Sequence, residues 1–164
     1  PNEVVVGDLT YLWTGEGWLY LVVFIDLFSR RVVGWATGTR MTAQLAVLAL
    51  ERLVARRKPG PGLIVHTDRG VQFASELFRQ TLDKHGFRQS MSRKADCWDN
   101  AVAESFFHSF KVEAIYGTTL RTRKDGETEV FRYIEGFYNN RRRHSFLGYL
   151  SPARFEETRL ARAG

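Results

Sequence analysis

Residues 18–25 read Trp-Leu-Tyr-Leu-Val-Val-Phe-Ile, the longest apolar run in the chain. Such a run is far too short to cross a bilayer, which takes about 20 residues. It has no polar face, so it is expected to be a strand covered on both sides, in the interior of a sheet. Residues 4–12, rich in β-branched side chains, precede it across the turn Thr14-Gly15-Glu16-Gly17, and residues 31–37 follow it across Ser29-Arg30. Turns this short predict an antiparallel meander of three strands, not parallel strands joined by crossovers.

Thr42 is placed to cap a helix reaching Arg57, with Ala46, Ala49, Leu50, Leu53 and Val54 as its apolar stripe and Lys58-Pro59-Gly60-Pro61-Gly62 as its stop. A fourth strand is expected over residues 63–68, a helix opened by Ser75 and closed at Gly86, and a short fifth strand over residues 87–91. A third helix, capped by Asp99, is expected to run to about Tyr116. A fourth should follow the polar stretch 118–126, burying Val130, Phe131, Ile134, Phe137 and Tyr138. Ser151-Pro152 starts a last short helix. The order β-β-β-α-β-α-β-α-α-α fits an α/β fold with a five-stranded mixed sheet flanked by helices. Residues 1–164 suffice for one domain, with the C-terminal helices, residues 127–158, packed on or beside it.

Twenty-four Lys and Arg against 18 Asp and Glu give a net charge of +6, which favours a polyanionic partner. The single cysteine, Cys97, excludes an internal disulfide and a cysteine-rich zinc site and reads as a packing residue. With no signal peptide or membrane span in view, a cytoplasmic location is expected. The start at Pro1 reads as a piece of a longer chain.

Three acids then stand out. Asp8 lies inside the first expected strand, where a carboxylate is costly without a purpose. Asp68 ends the strand Leu63-Ile64-Val65-His66-Thr67, with Gly70 following to let the chain turn. Glu104 follows on the third helix, with 35 residues between it and Asp68. There it shares a face with His108 and Lys111, while Ala103, Phe106 and Phe110 form the face that pins the helix down. Two strand-borne aspartates and one helix-borne glutamate make an oxygen-ligand set for hard divalent cations. Other acids read more blandly: Asp26 as a turn or ion-pair residue, Asp96 as a loop residue, Glu51 and Glu113 as surface charge. His66 reads as a structural bond at the sheet end.

The motifs Asp8-Leu9-Thr10-Tyr11, Ile25-Asp26-Leu27-Phe28-Ser29-Arg30, His66-Thr67-Asp68-Arg69-Gly70-Val71-Gln72-Phe73 and Asp99-Asn100-Ala101-Val102-Ala103-Glu104-Ser105-Phe106 resemble, in order, the catalytic core of the retroviral-integrase superfamily. They resemble the transposases of bacterial insertion sequences more closely still, and Tyr138-Asn139, Arg143-His144-Ser145, Leu147-Gly148-Tyr149 and Ser151-Pro152 fit that family's C-terminal end. The resemblance implies a ribonuclease H-like fold and a DDE triad of Asp8, Asp68 and Glu104. It implies two Mg²⁺ ions, replaceable by Mn²⁺, with Asp8 bridging both and Asp68 and Glu104 each holding one. The expected reaction is nicking of transposon ends and strand transfer on double-stranded DNA, in a homodimer or higher multimer associated with the nucleoid. DNA contacts are expected from Lys111, His108, Asn100, Arg141, Arg142 and Arg143. Relatives usually carry Trp where this chain has Val5, and their upstream helix-turn-helix region is absent from these residues.

Two other functions compete. A ribonuclease H-type nuclease would need an acid on the first long helix, where Glu51 is the candidate. An inert DNA-binding or assembly module would not need the three acids at all.

Overall fold

The computed structural model describes residues 1–91 and 100–163. The expected Asp99 cap, with Asp96 and Cys97, lies outside the described residues. The meander is present as β1 (Val4–Thr14), β2 (Gly17–Asp26) and β3 (Val32–Gly38), each antiparallel to the next. β4 (Ile64–Thr67) pairs in parallel with β1, and β5 (Arg88–Met91) in parallel with β4, giving the order β3-β2-β1-β4-β5.

β2 is covered on both faces, as its composition demands. Val22 and Phe24 join a core with α1 (Ala43–Arg57) and α2 (Glu76–Lys84), through Leu50, Leu53, Phe78 and Leu82. Leu21, Val23 and Ile25 join the opposite core, with α3 (Ala101–Phe110) and α4 (Arg123–Phe131), through Phe106, Phe110, Val130 and Ile134. Thr42 and Ser75 cap α1 and α2 as expected, accepting from the Leu45 and Phe78 N–H groups at 3.2 and 3.1 Å. On the first face α1 lies directly against Gly34, where an added Cβ would stand 2.6 Å from the Ala49 carbonyl oxygen.

The last third of the chain departs from its expected outline in three ways. α3 does not remain α-helical to Tyr116; it widens into a π-helical stretch, Lys111–Ile115. α4 starts before Gly126, at Arg123, because Thr122 and Asp125 form a reciprocal capping box. Gly126 sits inside the helix since an added Cβ would come within 2.7 Å of Leu19 Cδ2. α4 then also widens into a π-helical stretch, Arg132–Tyr138, which shifts its faces. Val130, Ile134 and Tyr138 are buried as expected and Tyr133 joins them, but Phe131 and Phe137 are exposed.

A buried polar cluster fastens the final helix α5 (Pro152–Ala163) to the sheet. Glu156, 3% exposed, accepts from Ser29 Oγ at 2.7 Å, Arg31 at 2.9 Å and Arg57 at 2.8 and 2.9 Å. Burial works against its charge, but these donors outweigh it and hold the carboxyl below its usual range. Asn139 completes the anchoring, exchanging two 2.9 Å bonds with the backbone of Val32.

Candidate active site

The register of β1 and β4 fixes the first two acids. Gly7 pairs with Thr67, the last residue of β4, so Asp8 on β1 and Asp68 just past the end of β4 each follow a paired residue of adjacent parallel strands. Asp8 shares its strand face with Val6 and Leu12, which pack in the core containing α3. α3 is pinned there by Ala103, Phe106, Phe107 and Phe110, and Phe106 meets Tyr138 edge-on at 4.8 Å. That anchoring leaves Glu104 and His108 exposed and Lys111 half-buried.

The charges of Asp68 and Glu104 both reach Asp8. Burial pushes the Asp8 carboxyl up to about 6; the Leu9 N–H, donating to Oδ1 at 2.8 Å, restrains it, and the charges of Asp68 and Glu104 raise it further. Asp68 is itself steadied by the Gly70 N–H, which donates to its Oδ1 at 2.8 Å. Three carboxylates without a cation among them repel. Among the described residues, no group of three or more His, Cys, Asp or Glu side chains closes into a metal-ligand cluster. The donor set still suits a hard divalent ion: all oxygen, all carboxylate, and with one member whose charged form is disfavoured until a cation arrives.

The basic residues expected to contact DNA differ in their surroundings. Lys111 Nζ sits over the Tyr11 ring, 5.7 Å from its centroid, a contact that fixes an otherwise flexible cation. Arg141 and Arg143 are exposed. Arg142, expected as a DNA contact, donates to Glu113 at 2.9 and 3.0 Å and to Ser109 at 3.2 Å. Glu113, read as surface charge, therefore has a structural role; it also accepts from the Tyr133 hydroxyl at 2.7 Å. Asn100 accepts the Glu104 N–H through its backbone, while its buried side-chain Oδ1 has no hydrogen-bond partner among the described residues.

The remaining candidates fall into structural places. Asp26 accepts from the Phe28 and Asn2 N–H groups and lies 3.9 Å from Arg57, making it a turn and ion-pair residue as expected. His66 bonds Ser90 through Nδ1 at 2.9 Å. Glu51 turns to α2, with His85 at 3.2 Å and Lys84 at 3.5 Å. Sequence reasoning overlooked the cavity beside α3, lined by Arg30, His144, Phe146 and Tyr149. No local pattern marks it, because its walls come from residues far apart in the chain.

Residues 1–97 and 104–160 each match the family model described as Integrase core domain. The chain is 53% identical over 161 residues to "Transposase InsF for insertion sequence IS3A" of Escherichia coli (strain K12), covering 98% of this chain and 56% of that protein. It is 46% identical over 157 residues to the transposase for insertion sequence element IS904 of Lactococcus lactis, covering 96% of this chain and 62% of that one. It thus spans little more than half the length of these relatives. Among solved structures, the HTLV-2 integrase catalytic core domain in complex with magnesium superimposes with a TM-score of 0.71 at 16% identity, covering 94% of this chain and 96% of that one. That likeness identifies the ribonuclease H-like fold expected from the motifs. With an integrase core match over more than half its residues, and relatives that are transposases of insertion sequences, the chain belongs to the integrase core domain family.

Proposed function

We propose that this chain is the catalytic core of a DNA transposase, which nicks transposon ends and joins them to target DNA, with Asp8, Asp68 and Glu104 as its DDE triad. The observation that carries the reading is the convergence of three acids from β1, the end of β4 and α3, close enough for two of them to raise the pKa of the third. A half-buried carboxyl raised chiefly by desolvation, and further by neighbouring like charges, is typical of a functional site.

Asp8, Asp68 and Glu104 would hold two Mg²⁺ ions, which Mn²⁺ can replace. When bound, such a pair activates the attacking oxygen, stabilises the leaving oxygen and neutralises the phosphate. The chain's own residues position the DNA. Lys111, steadied by Tyr11, clamps a phosphate of the bound end, and His108 and Asn100 flank it on the same helix. Arg141 and Arg143 reach phosphates further along the duplex, with Arg142 holding their segment in place. Residues 1–164 act as one catalytic unit whose C-terminal helices are anchored by Asn139 and Glu156. Pairing two double-stranded ends and a target calls for a homodimer or higher multimer. The work takes place on the nucleoid in the cytoplasm; among the described residues no helix is long and apolar enough to cross a membrane.

The ribonuclease H-type alternative is disfavoured because Glu51 is engaged with α2 and is absent from the charges acting on Asp8. The test is Glu104→Gln. Fold and DNA binding should persist, while nicking and joining in Mg²⁺ or Mn²⁺ disappear. Strand transfer by that variant would refute the assignment.

A further inference from the structure

A cavity of about 570 Å³ opens beside α3, around the helix from Glu104, with Ser105 and Ser109 in its wall. That volume is within the range of small-ligand sites, roughly 300–1,000 Å³. Its lining contains three guanidinium groups (Arg30, Arg142 and Arg143) and, among the described residues, no carboxylate. Arg142 is taken up by Glu113 and Ser109, which leaves Arg30 and Arg143 as the cations available to a ligand.

The cavity is built, not incidental. Arg30 and Tyr149 are both held at positive φ, 62° and 63°, a backbone that residues with a Cβ seldom adopt. The Arg30 turn is enforced from behind: its N–H donates to the Asp26 carbonyl at 2.8 Å, and neighbouring Ser29 is tied to buried Glu156. The Tyr149 turn is closed by its N–H to the His144 carbonyl at 2.8 Å. Arg30 Cζ lies 4.3 Å from the centre of the Phe146 ring, yet Phe146 remains 71% exposed and Tyr149 69%. His144 lines the cavity too, and its buried Nε2 has no hydrogen-bond partner among the described residues.

We infer that this cavity receives one nucleotide of single-stranded DNA, its phosphate between Arg30 and Arg143 and its unpaired base against Phe146 and Tyr149. Cations alone would suit any anion; two exposed rings beside a guanidinium favour a base, which every nucleotide offers as a flat π-face. A paired base hides that face within its stack, so duplex DNA would leave the rings unused. His144 Nε2 supplies a polar contact to the same nucleotide. The inference rests on the DNA reading above and identifies where a strand separated from its partner would be held.

The test measures binding of fluorescein-labelled oligothymidylate and of a blunt duplex of equal length to the full chain in EDTA, by anisotropy. Phe146→Ala and Tyr149→Ala should each weaken oligothymidylate binding by about five- to a hundredfold, the span of base stacking on an aromatic ring, with little change for the duplex. Arg143→Ala should weaken both. Unchanged thermal midpoints would establish that the exposed-ring variants are folded. Ring variants that bind oligothymidylate like the parent, or lose both DNAs equally, would overturn the inference. So would competition by poly-glutamate as strong as that by unlabelled oligothymidylate, which would mark a plain anion site. A parent that cuts DNA while the ring variants bind normally defeats only the cavity. Ring-dependent binding without any Glu104-dependent cutting defeats only the transposase reading.

Discussion

Arg142 donates through Nε to both carboxylate oxygens of Glu113, at 2.9 and 3.0 Å. The pair joins the π-helical extension of α3 to the segment that follows α4, and Tyr133 adds its hydroxyl to the same carboxylate. Arg142→Ala is accordingly expected to lower stability by about 1–3 kcal/mol, leaving Glu113 half-satisfied. The same variant should alter duplex affinity less than Arg143→Ala does. Thermal unfolding and anisotropy on the two variants check this together.

Glu156 is the second structural acid. Glu156→Ala would strand Arg57, whose side chain is only 12% exposed, and Arg31 without their carboxylate. Removing one partner of a buried ion pair costs about 3–5 kcal/mol. Because its carboxyl is held below the usual range, the stability it contributes is present at neutral pH and lost as pH falls through that lowered value. Denaturant titration of the variant at neutral pH, and of the parent in acid, measures both effects.

Asp8 has the opposite sign. Its pKa of about 6 stands above the ordinary 3.8, so the folded state favours the protonated carboxyl. The stability gained is complete below about pH 4 and is lost as pH rises through 6, a change on the order of 2–3 kcal/mol. In EDTA, the unfolding midpoint of Asp8→Asn should lack this component of the pH dependence. Adding Mn²⁺ to the parent at neutral pH should restore stability, and should fail to do so in Asp8→Asn.

Gly34 tests how closely helix and sheet approach. A Cβ there would stand 2.6 Å from the Ala49 carbonyl oxygen and 2.7 Å from Leu53 Cβ, both parts of a packed helix that cannot swing aside. Gly34→Ala is expected to cost about 1–3 kcal/mol, read as a lowered thermal midpoint.

What the sequence disclosed and what it withheld divide along contact range. The β2 run, the caps Thr42 and Ser75, and the pairing of acids with strand ends and a helix face are local patterns, and each was legible. Gly126 reads as part of the polar stretch expected before the fourth helix, because its reason for being glycine is Leu19, more than a hundred residues away. Glu113 and Glu156 looked ordinary because their partners, Arg142 on one side and Ser29, Arg31 and Arg57 on the other, are brought in only by the folded chain. The cavity was hidden for the same reason: Arg30 and Tyr149 stand at opposite ends of the sequence. Phe137 was misplaced because a helical wheel assumes a constant pitch, which the π-helical stretch abandons, while Phe131 lies about 100° round the regular helix from buried Val130 and faces outward.

α3 has one further consequence. Glu104 and Ser105 are consecutive on a single short rod, one turned to the acids and the other to the cavity wall. The cavity wall and the Glu104 carboxylate thus share one lever, so any shift of the rod is transmitted to both. Under the proposed reading, seating a nucleotide against Ser105 would move the carboxylate with it.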